Sequence, residues 1–217
     1  MARTILSPKR KQEVEREYLG KIIIFCEGPS EEQYINYFKN IINPKNKYTD
    51  IHVETQTANG DARTVLNFAE HFLSTEENNR KYMNYKKYLL FDCDAPKNIE
   101  DVINDMLESS KDYFLLLSNY RFENWLLMHF ENLTEPIKKR EFSARLSSHL
   151  NEEYKKANEG IIREIIHTGS VDHAIKNAYE LEDKYKSEGK FFPTDIKSMN
   201  PYTTVHKLIE QFMAEIS

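Results

Sequence analysis

Short apolar segments alternate with longer amphipathic segments along the first half of the chain. The short segments are rich in β-branched and aromatic residues and end at glycine or at polar side chains, which is typical of strands. In the longer segments, apolar residues recur three or four positions apart, which is typical of helices that bury one face. The predicted strands are Lys21–Gly28, Ile51–Thr57, Lys87–Asp94 and Asp112–Asn119.

A helix is predicted after each of the first three strands. In the first helix, Ser30 is expected to cap the N-terminus, with Gln33 as its capping-box partner. The second and third helices are predicted over residues 62–75 and 95–110. Because strand and helix alternate, the sequence predicts an α/β fold in which a mostly parallel sheet is flanked by helices.

The second half of the chain has few strand patterns. Residues 139–157, 170–189 and 202–216 favour helices, and Asn200 and Pro201 are expected to start the last of them. The sequence therefore predicts three regions. They are a charged N-terminal arm (residues 1–20), an α/β domain (21–122) and a largely helical C-terminal region (123–217) packed on that domain.

Composition narrows the class of protein. With 217 residues, 40% of them hydrophobic and 30% charged, the chain is expected to bury a core of ordinary size. The net charge of -5 and the pI of about 5.9 exclude the uniformly basic surface of many nucleic-acid-binding domains. A nucleic-acid partner would therefore need a local basic patch or bridging metal ions.

Cysteine content and hydropathy bear on the compartment. Cys26 and Cys93 are too few for a disulfide framework, and we expect both to be buried and inert. The N-terminal sequence has no apolar signal core, and no apolar run approaches the roughly 18 residues of a membrane span. These features predict a cytoplasmic protein with reduced thiols and no membrane partner.

Acidic residues follow two of the predicted strands. Glu27 ends the first strand, and Asp92 and Asp94 end the third, two positions apart and so expected on one face. If these strands are neighbours, the three carboxylates converge where ligands bind to open α/β sheets. Clustered carboxylates need protons, Lys or Arg partners, or divalent cations, and oxygen ligands suit Mg²⁺ or Mn²⁺. The alternative is a helix cap followed by an acidic turn residue.

Glu31 is a further candidate ligand. It lies four residues after Glu27, in the first turn of the predicted helix, where the helix N-terminus also favours an anion. A simple helix-start residue is an equally good interpretation.

Four segments occur in a fixed order along the chain. They are KIIIFCEGPSEEQYINYF, YLLFDCDAP, SNYRFENWLLMHF and NPYTTVHKLI. With these motifs the chain resembles the RloB-like family from about Lys21 to Ile209. The resemblance implies a TOPRIM-like domain and an association with bacterial defence. In TOPRIM domains, a glutamate after the first strand and an Asp-x-Asp after a later strand hold divalent metal for phosphodiester chemistry.

Carried onto this sequence, the resemblance implies catalytic and metal-binding roles for Glu27, Asp92 and Asp94, and Glu31 matches the extra acid of an EGxSE pattern. Two further segments contribute candidates. Glu123 is expected as a catalytic or metal-site residue, and an acid at the helix start is the alternative interpretation. Arg121 is expected as a phosphate contact, although family members carry Pro-Cys where this chain has Tyr-Arg.

His206 and Lys207, in the last motif, are candidate substrate-binding residues because a cation near a helix start favours a phosphate. An ordinary helix start is the alternative interpretation for these two residues.

Together these features favour a nuclease that uses Mg²⁺ or Mn²⁺ to cleave RNA, with tRNA as one candidate, or DNA, as an anti-phage defence effector. One alternative is a non-cleaving module that senses a nucleotide signal or a phage protein; another is a metal-dependent phosphotransferase. The chain has no GxxxxGK[ST] motif, so a partner such as an ATPase is compatible with the sequence. The oligomeric state is left open, and a homo-oligomer is one possibility.

Overall fold

The computed structural model describes residues 18–94 and 99–217 and contains one sheet of five strands. Most of the predicted charged arm and the first four residues of the predicted third helix lie outside the described residues. The strands are β1 (Lys21–Cys26), β2 (His52–Thr57), β3 (Lys86–Asp92), β4 (Tyr113–Asn119) and β5 (Tyr202–Thr203). The α-helices are α1 (Pro29–Lys45), α2 (Ala62–Ser74), α3 (Glu76–Tyr82), α4 (Ile99–Glu108), α5 (Phe122–Leu127), α6 (Phe142–Ser147), α7 (Glu159–Thr168), α8 (Val171–Ser187) and α9 (Val205–Ile216).

The sheet has the order β2-β1-β3-β4-β5, and only the contact between β4 and β5 is antiparallel. The prediction of an α/β fold with a mostly parallel sheet flanked by helices is confirmed. Residues 22–26 of β1 are completely buried, as expected for a strand covered by helices on both faces.

The strand order creates a crevice beside β1. The chain leaves β1 through α1 towards β2 on one side, and it leaves β3 through α4 towards β4 on the other. Right-handed crossovers in opposite directions place the two helices on opposite faces of the sheet. The carboxyl ends of β1 and β3 therefore border the crevice where ligands of open α/β folds bind.

The capping prediction for the first helix is wrong. Gly28 is the N-cap of α1 and Pro29 is its first residue, because proline fits the first turn, where its missing N–H group needs no partner. The side chains of Ser30 and Gln33 instead hydrogen-bond to the backbone of Ala157, far away in sequence.

Two predictions for the second half are also wrong. The segment 139–157 is helical only as a short 3₁₀ turn and α6, and its second part is a loop. Asn200 and Pro201 do not start a helix, since the residues that follow form β5 and α9 begins at Val205. In both segments, hydrogen bonds to distant residues replace the predicted helical ones.

The short strand β5 attaches the C-terminal region to the edge of the sheet. Thr204 donates its N–H to the Leu117 carbonyl and accepts the Leu117 N–H at its hydroxyl, both at 2.9 Å. The Asn119 side chain donates to the carbonyls of Ile196 and Met199. Across the two described ranges, none of the helices combines the length and the apolar character that crossing a bilayer requires.

Candidate functional site

Glu27 and Asp92 meet at the crevice because β1 and β3 are direct neighbours in the sheet. The Asp92 N–H donates a hydrogen bond to Glu27 Oε2 at 2.8 Å, and the Glu27 N–H donates to the Leu90 carbonyl at 2.9 Å. Asp92 is only 6% exposed. The structure therefore brings Glu27 and Asp92 together at the ends of adjacent strands.

Glu31 and Glu123 approach the same place from two helices. Glu31 lies in the first turn of α1 and is 2% exposed, and Glu123 lies in the first turn of α5, directly after β4, and is 5% exposed. The charges of both raise the pKa of the Asp92 carboxyl, which places all three side chains in one electrostatic cluster. Glu31 Oε2 and Glu123 Oε2 are buried and have no hydrogen-bond partner among the described residues.

Asp94 lies in a bend beyond the end of β3, so strand alternation does not set its direction. It pairs with Arg121 at 3.1 Å. Asp92 and Asp94 nevertheless line one small cavity of about 20 Å³, together with residues at the start of α2 and in α4. Arg121 thus lies beside the cluster, and in this structure its partner is the carboxylate of Asp94.

Two residues of the site were missed by sequence reasoning. The Tyr154 hydroxyl lies 3.4 Å from Glu123 Oε1, and Lys156 Nζ lies 3.8 Å from the same oxygen. Both belong to the loop within the segment that was predicted to be helical. The turn-forming residues Asn151 and Asn158 on either side of this loop were the available signal.

Burial dominates the electrostatics of the cluster. It raises the pKa of Glu27 to about 7, with further contributions from the charges of Glu31 and Asp94. It also raises the pKa of Glu31, and it holds the pKa of Asp92 well above its ordinary value with help from Glu31, Glu27 and Glu123. Burial works to lower the pKa of Lys156, but the charges of Glu123, Glu31 and Asp92 outweigh it and raise that pKa.

These shifts predict how stability depends on pH in metal-free buffer. A carboxyl group whose pKa is raised on folding binds more protons in the folded state, so the free energy of unfolding decreases as pH rises from about 4.5 through about 7. We expect Glu27 alone to contribute on the order of 2 kcal/mol to this decrease. Urea unfolding at several pH values between about 5 and about 8 measures it.

The matched variant for this experiment is Glu27→Gln, which keeps the shape of the side chain and cannot ionise. It should reduce the slope of stability against pH without removing it, because Glu31 and Asp92 are shifted in the same direction. An unchanged slope in Glu27→Gln would mean that Glu27 titrates normally in the folded protein.

No contact among the described residues joins His206 or Lys207 to the carboxylates of the cluster. His206 is completely buried and faces Tyr179 and Glu182, with 3.5 Å between its Nε2 and a Glu182 oxygen. Lys207 pairs with Glu182 at 3.3 Å. The structure therefore places both residues beside α8, and the expectation that they bind substrate stays a prediction.

Cys26 and Cys93 lie next to residues of the cluster in sequence, but both are buried and free. Burial raises the pKa of Cys26 well above its ordinary value and that of Cys93 to about 11. Thiols of this kind react slowly at neutral pH, as predicted for inert core cysteines.

The side chains of the cluster fit a hard divalent cation in their chemistry. All are carboxylates, the ligands that Mg²⁺ and Mn²⁺ prefer, and two of their buried oxygens are without hydrogen-bond partners in the described part of the chain. Among the same residues, however, no three His, Cys, Asp or Glu side chains are arranged to hold one ion together. Ion binding would therefore require these side chains to move.

Comparison with known proteins identifies a family for this chain. A model of the family described as RloB-like protein matches residues 22–212. No curated protein and no solved structure matches this chain. The matched range contains every residue of the carboxylate cluster, together with Arg121, Tyr154 and Lys156.

Proposed function

The chain belongs to the RloB-like protein family, and from this premise we propose that it is a nuclease that uses Mg²⁺ or Mn²⁺ to cleave phosphodiester bonds of RNA or DNA. The observation that carries the proposal is the cluster of Glu27, Glu31, Asp92 and Glu123 at the crevice of the sheet. Buried carboxylates that oppose one another's ionisation are stable only with protons or cations among them, and a divalent ion supplies the charge that one lysine does not.

In this proposal, Glu27, Glu31, Asp92 and Asp94 hold the ion, and Glu123 borders it. A bound divalent ion polarises a phosphate, lowers the pKa of water and stabilises the leaving oxygen. Arg121, which is paired with Asp94, is the proposed contact for a substrate phosphate. The positive charge of the ion and of Arg121 is local, so it can bind a phosphate even though the pI of the whole protein is acidic.

The resemblance of the motifs supports the finer parts of the proposal. We assign the domain as TOPRIM-like, because acids end two adjacent parallel strands in the order that the resemblance implies. The proposed setting is bacterial anti-phage defence in the cytoplasm, with an ATPase as a candidate partner. The free, buried cysteines are compatible with that compartment.

The test is incubation of the purified full chain with total tRNA, plasmid DNA and single-stranded DNA, each with Mg²⁺ or Mn²⁺. We expect cleavage of at least one polymer. We also expect a chelator to abolish it, because carboxylates without a metal ion provide no Lewis acid to polarise the phosphate. The matched protein is Asp94→Ala, which removes a proposed ligand of intermediate exposure. Equal behaviour of the two proteins on every substrate would refute the nuclease proposal.

A second candidate function is a non-cleaving module that binds a nucleotide signal or a phage protein. It is favoured by the lack of a three-ligand group among the described residues and by the pairing of Asp94 and Glu123 with Arg121 and Lys156. Binding of a mononucleotide or of a phage protein, without cleavage of any polymer, would favour this function over a nuclease.

A further inference from the structure

Lys156 is the cation closest to the buried carboxylates in the described contacts. Its Nζ lies 3.8 Å from Glu123 Oε1, and its charge acts on Glu31, Asp92 and Glu27 as well. Half of its side chain is exposed to solvent. The ammonium group therefore reaches into the cluster from outside and has an open path back to water.

The position of Lys156 is built into the fold. The next residue, Ala157, has φ 61°, a conformation that costs free energy in residues other than glycine. Its N–H donates to the Ser30 hydroxyl at 3.0 Å, and its carbonyl accepts from the Gln33 side chain at 3.1 Å. Both contacts come from the first turns of α1, the helix that carries Glu31.

Tyr154, two positions before Lys156, is also held in place. Tyr154 is buried, its N–H donates to the Ser147 hydroxyl at 2.8 Å, and its own hydroxyl points to Glu123. Residues 154–157 thus form a strap that is held at both ends, and Lys156 is the residue of the strap that carries a cation to the carboxylates.

We propose that Lys156 is an exchangeable counter-cation, which occupies the carboxylate cluster in the metal-free protein and leaves it when a divalent ion binds. The proposal rests on the proposed function, because it requires that this site takes a divalent ion. It accounts for two observations together: the donor chemistry fits such an ion, yet no three ligands are arranged around one in the described residues. Carboxylates that face an ammonium group are not oriented for a metal ion.

The consequence is that Lys156 sets the affinity for the ion. An incoming ion must displace a favourable charge pair, and the displaced ammonium group keeps its proton and moves into solvent. Removing the charge of Lys156 should therefore strengthen divalent binding, because the cluster then has less compensation in the metal-free state. A residue with only a structural role would not strengthen binding when it is replaced.

The experiment is calorimetric titration of the full chain with Mn²⁺ at neutral pH. We expect the Kd of Lys156→Met to be about tenfold lower than that of the parent. The matched control is Lys155→Met, an exposed neighbour, for which the Kd should not change. Lys156→Arg retains the charge and should keep a Kd close to that of the parent.

The outcomes separate the two proposals. If the parent binds Mn²⁺ and Lys156→Met binds it equally or more weakly, the counter-cation proposal is wrong and the proposed metal site stands. If neither the parent nor Lys156→Met binds Mn²⁺, the metal site itself is wrong, and the counter-cation proposal fails with it. Should Lys156→Met not fold, Lys156→Gln removes the same charge with a polar side chain and decides the question in the same way.

Discussion

An Asp92→Asn variant is expected to lose nucleic-acid cleavage by about a thousandfold and, in metal-free buffer, to be more stable than the parent. The loss follows because the substitution removes one of the proposed ligands at the centre of the cluster. The gain in stability follows because Asp92 is buried among Glu27, Glu31 and Glu123, whose charges oppose its ionisation. The amide has nearly the same shape, carries no charge and can donate hydrogen bonds to the neighbouring carboxylates.

We expect the free energy of unfolding to rise by roughly 1–3 kcal/mol at slightly alkaline pH, where the parent carboxylates are under most pressure to ionise. Thermal unfolding in the presence of a chelator measures this gain, and cleavage of the best substrate measures the loss. Asp101→Asn, an exposed position on α4, is the matched control and should leave both unchanged.

Cleavage and stability of Asp92→Asn test different parts of the argument. Full cleavage activity in Asp92→Asn would mean that the catalytic site lies elsewhere than the crevice. A less stable variant would mean that the Asp92 carboxylate is held by interactions that compensate its burial, in which case the argument for a cation at this site loses its basis.

The adjacency of Glu27 and Asp92 could be predicted because both follow strands that are buried on two faces. Such strands appear in the sequence as unbroken apolar runs, and the acid that ends each run is visible at once. The sequence left open whether β1 and β3 are neighbours. That contact depends on the strand order, and the order depends on helix and sheet packing across the whole domain.

Tyr154 and Lys156 could not be predicted as residues of the site. Their segment has apolar residues at helical spacing, but the backbone of the strap bonds to the side chains of Ser30, Gln33 and Ser147. Ser30 and Gln33 lie more than a hundred residues away from Ala157 and leave no local pattern, so a helix was the best interpretation of the sequence alone.

The location of His206 could not be predicted from the sequence for a related reason. A histidine and a lysine just inside a predicted helix start resemble a phosphate-binding arrangement. In the structure, the polypeptide first forms β5 against β4, so α9 begins five residues after Asn200, and His206 is completely buried. The strand pairing depends on Ser118 and Asn119, which the helical pattern does not contain.

Asn119 explains how that pairing is held, and its replacement is expected to have the largest effect on stability. In Asn119→Ala we expect the free energy of unfolding to fall by roughly 3–5 kcal/mol. The side chain is 4% exposed and donates to two carbonyls, of Ile196 at 2.5 Å and of Met199 at 2.7 Å. Alanine would leave both carbonyls without this donor in the protein interior, and each unpaired group costs about 1–3 kcal/mol.

Urea unfolding of Asn119→Ala, beside the exposed replacement Asn40→Ala on α1, measures this effect. The control should stay within about 0.5 kcal/mol of the parent. Hydrogen exchange gives the location: protection of the Thr204 amide, which donates to the Leu117 carbonyl, should decrease more than that of amides in β1. A loss below about 1 kcal/mol would mean that water reaches the two carbonyls, and that contacts other than Asn119 hold the C-terminal region on the sheet.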